Sequence, residues 1–190
     1  RWNYIPLPLA EQRRVGVLGL GVLGAAAATA LVAGGFRVCG WSRNPKSVPG
    51  VDCRHGPDGL DATLAHAEIL LCLLPSTPET AGLLDARRLA LLSPGACLIN
   101  AGRGTLIDDA ALLTALDERL GGATLDVFRE EPLPATHPFW RHPKVLITPH
   151  AASTTRIPTA VPVLLESLRR LRDGADPRDL DGHVDPARGY

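Results

Sequence analysis

The stretch "VGVLGLGVLG" (residues 15–24) decides the fold. It begins as an apolar run of strand length. It ends in Gly19-Leu20-Gly21-Val22-Leu23-Gly24, which has the spacing G-x-G-x-x-G. The Ala-rich residues that follow predict a helix over 22–33. A strand, a glycine turn and a helix in that order predict a dinucleotide-binding βαβ unit. Gly19 permits the tight turn, Gly21 lets the backbone approach a pyrophosphate, and Gly24 lets helix and strand pack closely. The helix start, with Val22 and Leu23, then offers its free N–H groups to the phosphates. Residues 15–36 run without a charge, so their length alone also suits a membrane span. The glycines weaken a single long helix there, and the following residues favour the nucleotide reading.

Those residues are "FRVCGWSRNPK" (36–46), a second strand and turn. In an NAD-binding unit this strand ends in Asp or Glu, which binds the adenosine ribose 2′-OH. Here the matching place, 18 residues after Gly24, is Ser42, followed by Arg43 and Lys46. A carboxylate would repel a 2′-phosphate, whereas a hydroxyl and two cations suit a dianion. The expected cofactor is therefore NADP(H) in preference to NAD(H). Solvated turn charges are the competing reading of Arg43 and Lys46.

Further apolar runs recur: "EILLCLLP" (68–75), "ACLINA" (96–101), "ATLDVF" (123–128) and "KVLITP" (144–149). Continuous rather than alternating, they suit strands buried on both faces of a parallel sheet. Helix-like segments at 60–67, 85–92 and 108–119 lie between them, the last opening on Asp108 and Asp109 as an N-cap signal. The order βαβα predicts an α/β, doubly wound parallel sheet. After Pro149 come a loop and an amphipathic helix ending near Gly174, with Pro158 at its start and Pro162 expected to kink it.

With 190 residues and 20 basic against 20 acidic side chains, the chain is sized for one domain plus an appendage. Zero net charge argues against nucleic acid as a main partner and against a polybasic membrane anchor. Cys39, Cys53, Cys72 and Cys97 are scattered without a CxxC pair, which reads as reduced cytoplasmic thiols with no metal.

Three chemical groups stand at the ends of later strands, where open α/β sheets bind ligands. Arg103 follows "INAGRG", Glu131 follows "LDVFREEP", and His150 follows "LITPH". Each alone has a bland reading as a surface Arg, a loop Glu or a satisfied His. Together a cation, a carboxylate and an imidazole make an acid–base site. Arg103 can hold an anion or polarise a carbonyl, and His150 can transfer a proton. Glu131 would favour the protonated ring and orient it.

At these residues the chain resembles the D-isomer-specific 2-hydroxyacid dehydrogenase family. The matching stretches are "GLGVLG", "LLPSTPET", "INAGRGTLID", "LDVFREEPLP", "HPFWRHPKVLITPHAA" and "VDPARGY". "GWSRNPKSVPGV" and the "ARGY" end are most similar to its bacterial glyoxylate/hydroxypyruvate reductase A branch. The resemblance implies that Asp126 binds the nicotinamide amide, and that Leu74, Pro75, Ser76, Thr80 and Ala101 line the cofactor. It implies a Rossmann-type cofactor domain over residues 1–150, with an N-terminal connector. Residues 151–190 would then be the last helix and tail of a substrate domain whose N-terminal lobe lies upstream. "RWNYIPLPLAEQRR" and the absence of methionine fit that expectation. A homodimer through residues 104–122 and a small 2-oxo or 2-hydroxy acid substrate are also implied. The alternatives are a non-catalytic dinucleotide-sensing scaffold and another member of the family, such as an NAD-linked phosphoglycerate dehydrogenase. A formate dehydrogenase would carry Gln at position 131.

Overall fold

Seven short strands pair side by side, all parallel, in the order β3-β2-β1-β4-β5-β6-β7. They are β1 Arg14–Leu18, β2 Arg37–Ser42, β3 Asp52–His55, β4 Ile69–Cys72, β5 Cys97–Asn100, β6 Gly122–Leu125 and β7 Val145–Ile147. The connecting helices are α1 Val22–Ala33, α2 Gly56–His66, α3 Ala86–Leu89 and α4 Asp109–Glu118. The computed structural model describes residues 8–180 and 182–184. The "ARGY" end and the first seven residues lie outside them. The chain divides into two compact units, Arg1–His150 and Ala151–Tyr190.

The charge-free stretch 15–36 is divided into β1, the glycine turn and α1, as the glycines predict. No helix among the described residues is long and apolar enough to cross a membrane. The larger core lies on the sheet face covered by α2, α3 and α4, where Leu18, Leu70 and Leu98 meet Leu64, Leu89 and Leu112. On the other face Val15, Val17 and Val38 pack with Ala28 of α1. β1 and β2 are buried almost continuously, as expected of strands covered on both faces. In β4, β5 and β6 buried residues alternate with half-buried ones.

β3 is the strand that the apolar runs do not announce. It is an edge strand of Asp52, Cys53, Arg54 and His55, and polar residues suit an edge. α2 begins four residues before its expected start at 60. Pro57 sits in its first turn, where a missing N–H is harmless, and Asp58 favours the helix start. α3 is shorter than the expected 85–92. Asp85 caps it by accepting from Arg88 N–H at 2.8 Å, and Pro94 disfavours helix at the residue before it. The Arg119 guanidinium takes up the freed carbonyls, donating to Ala90 and, at 2.6 Å, to Leu92.

In the second unit α5, Ile157–Arg172, carries Pro158 in its first turn and runs on through Pro162. No residue of α5 is buried.

The chain turns from β1 outward through β2 to β3, then returns to β4 on the other side of β1. That reversal opens a crevice at the carboxyl ends of β1 and β4, the usual ligand site of open α/β sheets.

Candidate active site

The crevice begins with the glycine turn. Gly19 has a φ of +100°, and a side chain at Gly24 would lie 1.7 Å from the Gly19 carbonyl oxygen. Both positions therefore exclude a Cβ, and the close turn brings the start of α1 to the strand end. No side chain caps α1. A Cβ at Gly21 would meet open space, and Val22 and Leu23 are 90% and 60% exposed. The first-turn N–H groups, with no side-chain acceptor and apolar neighbours, fit a dinucleotide pyrophosphate.

β2 ends at Ser42, with Arg43 and Lys46 exposed in the turn beyond it. The Ser42 hydroxyl is buried and donates to the Asn44 carbonyl at 2.7 Å. It shapes the turn, and must rotate to donate to a phosphate. The Arg43 charge helps hold the exposed Glu79 carboxyl below the usual carboxylate range, after hydrogen bonds from Thr77 and the Glu79 backbone.

In the loop after β4, Leu74 is buried, Pro75 is half-buried and Ser76 is exposed. Thr80 does not present a free hydroxyl. It donates to the Pro75 carbonyl at 2.7 Å and accepts from Thr77 N–H at 2.8 Å, closing the loop. Ser76 shares a 2.8 Å hydrogen bond with Thr105 in the turn after β5.

β5 delivers Ala101 and Arg103 to the same edge. Asn100, a residue that the sequence reading passed over, builds this turn. Its buried side chain accepts from Gly102 N–H at 3.1 Å and donates to the Arg103 carbonyl at 3.0 Å. Asn is suited to this because its amide offers a donor and an acceptor at once. The Arg103 guanidinium donates to the Gly102 carbonyl at 2.7 Å and is otherwise exposed.

Asp126 directly follows β6; it is buried and accepts from the Thr148 hydroxyl at 2.5 Å. Two residues later the chain crosses Gly104. A Cβ there would stand 1.9 Å from the Phe128 carbonyl carbon, so the turn carrying Arg103 and the loop carrying Glu131 touch backbone to backbone. Gly104→Ala forces them apart. It is expected to cost about 1–3 kcal/mol of stability, read from a urea midpoint, because the neighbour is backbone and cannot rotate away.

The Glu131 carboxylate is held from two directions. Oε1 accepts from Phe128 N–H at 2.8 Å, and Oε2 lies 2.7 Å from His150 Nδ1. These hold the Glu131 carboxyl below the usual carboxylate range, the His150 hydrogen bond contributing most, the Phe128 N–H next and the Arg103 charge a smaller part. All three residues therefore belong to one electrostatic group. Glu130 is exposed beside them. His150 has a φ of +51°, a left-handed backbone that costs a non-glycine residue about 1–3 kcal/mol. That conformation bends the chain after β7, with His150 N–H bonded to the Thr148 carbonyl at 3.1 Å.

The model of the D-isomer specific 2-hydroxyacid dehydrogenase NAD binding domain matches residues 1–152. The chain is 43% identical over its whole length to the glyoxylate/hydroxypyruvate reductase A of Salmonella paratyphi B, of which it covers 60%. Among solved structures, it superposes with a TM-score of 0.95 on a D-isomer specific 2-hydroxyacid dehydrogenase from Xanthobacter autotrophicus Py2 in complex with NADPH and MES. That similarity is 50% in identity and covers all of this chain and 78% of the other. The NADPH-dependent glyoxylate/hydroxypyruvate reductase of Sinorhizobium meliloti, in complex with NADP and sulfate, gives a TM-score of 0.93 at 39% identity. It is covered to 60%, again with all of this chain. An open parallel sheet with a glycine turn at its switch point defines a dinucleotide-binding fold. This chain belongs to the D-isomer specific 2-hydroxyacid dehydrogenase family. It spans about 60% of the length of the curated relatives that it matches.

Proposed function

We propose that the whole protein reduces a small 2-oxo acid with NADPH, converting glyoxylate to glycolate and hydroxypyruvate to D-glycerate. The observation that carries this reading is the 2.7 Å Glu131–His150 pair, within the electrostatic reach of Arg103. The NADPH and NADP complexes of similar proteins, and the reductase names of others, support the cofactor and substrate class.

Gly21, Val22 and Leu23 would hold the pyrophosphate through the start of α1. Ser42, Arg43 and Lys46 would hold the 2′-phosphate. Asp126 would fix the nicotinamide amide, with Leu74, Pro75, Ser76 and Ala101 along the crevice and Thr80 setting the loop's shape. When bound, the reduced nicotinamide supplies the hydride. Arg103 would bind the substrate carboxylate and polarise the ketone. His150 would donate a proton to the alkoxide oxygen from its second ring nitrogen, the first being engaged by Glu131. Assembly as a homodimer through residues 104–122 and a cytoplasmic location belong to the same proposal.

Folding lowers the Glu131 proton affinity. The contribution of its pair is therefore complete above the usual carboxylate range and is lost only as pH falls through the lowered value. At neutral pH the anion is present, 2.7 Å from the His150 ring nitrogen. Glu131→Gln removes the anion but keeps the shape. The alkaline limb of the kcat profile for reduction should then move to lower pH, with the ring still in place. An unchanged profile would assign the partner role elsewhere, with Glu130 the first suspect.

A further inference from the structure

The loop that carries Glu131 has a second set of contacts which acid–base chemistry does not use. Asp109 stands in the first turn of α4, with one carboxylate oxygen 3.8 Å from Arg129 Nε and the other 3.6 Å from His137 Nε2. Arg129 and His137 lie on either side of Glu131 in the same loop. Arg129 also donates twice to the Ile107 carbonyl, at 3.1 and 2.5 Å. His137 Nδ1 accepts from Phe139 N–H at 3.3 Å, which leaves Nε2 to carry the ring proton towards Asp109.

These contacts differ from an ordinary surface pair. Burial pushes the Asp109 carboxyl up, and Arg129 and His137 pull it back towards the ionised form. In a partly desolvated place each attraction is stronger than in bulk water. The segment so gripped is short. It runs from Arg103 through Gly104, where the Phe128 backbone presses in, to Asp109.

We propose that Asp109 and Arg129 are positioning residues, which fasten the loop over 128–137 to the segment over 104–109 and so keep the Glu131 carboxylate on His150. The inference rests on the acid–base reading of that pair. Arg129 acts two residues before Glu131, and its two hydrogen bonds to the Ile107 carbonyl fix the backbone from which Phe128 N–H reaches the carboxylate. The same fastening sets the spacing between Arg103 and the pair. Neither Asp109 nor Arg129 touches substrate or cofactor in this scheme.

The test is a double-mutant cycle in the full-length protein, with glyoxylate and NADPH. Arg129→Gln and Asp109→Asn should each lower kcat by about tenfold, the scale of a small misplacement of a catalytic group. Each should also move the alkaline limb in the direction that Glu131→Gln moves it. KM for glyoxylate should change little, and Arg129→Lys should restore most of the loss. In the Glu131→Gln background neither substitution should lower kcat further, because the group that they position is gone. Thermal melting of Asp109→Asn, which keeps the side-chain shape, checks that the fold is intact. An unchanged kcat and pH profile in both single variants, or equal losses in both backgrounds, would overturn the positioning role while leaving the acid–base reading standing. If Glu131→Gln itself changes neither kcat nor its pH dependence, both fall.

Discussion

Replacing His150 with Gln in the full-length protein should lower kcat for the proposed 2-oxo acid reduction by on the order of a hundredfold or more, the usual scale for loss of a positioned general acid. NADPH affinity should hardly change, since the glycine turn and the residues after β2 are untouched. The substitution must respect the backbone. At a φ of +51° most side chains are strained, and Asn tolerates that region better than most. His150→Asn is therefore the cleaner companion to His150→Gln. It removes the imidazole while leaving the bend after β7 in place. If either variant retains kcat, with a folded protein and normal cofactor binding, the proton comes from another group or from water.

The second large effect concerns the nucleotide. Removing Arg43 should weaken NADPH binding by roughly tenfold or more, since a hydrogen bond to a charged group contributes about 1.5–3 kcal/mol. NADH should change little. Ser42→Asp should go further, placing a negative charge against the 2′-phosphate and an acceptor for a free ribose hydroxyl. It also loses the donation to Asn44, so some stability of the turn goes with it, by about 1 kcal/mol. Combined, the two substitutions should move the preference towards NADH further than either alone but not by the product of the two effects, because neighbouring residues that share one phosphate do not act independently. Equal losses for both nucleotides in Arg43→Ala would mean that the guanidinium stacks on the adenine and does not select the phosphate.

Some of this was legible in the residues and some was not, for physical reasons. The glycine turn could be read because a tight strand-to-helix reversal tolerates nothing larger at Gly19 and Gly24. The central strands could be read because burial in a parallel sheet demands apolar runs. β3 has no such run, because an edge needs none. Arg103, Glu131 and His150 were placed at strand ends by sequence. Their union depends on contacts between positions 19 residues apart or more, and these become visible only in three dimensions. Asn100 works by bonding backbone, and Gly104 by being absent as a side chain, so neither announces itself as chemistry. Ser42 and Thr80 illustrate the reverse. Their hydroxyls donate to nearby carbonyls, a turn-shaping role that shows only in three dimensions.

The most direct measurement is cofactor oxidation by the full-length protein with glyoxylate, hydroxypyruvate and pyruvate, in NADPH and in NADH. NADPH should be consumed with glyoxylate and hydroxypyruvate, NADH more slowly, and His150→Asn should abolish most of the turnover in each case. Tight NADPH binding with no oxidation by any of the three acids would contradict the proposal, and would instead describe a scaffold that senses the nucleotide without using it.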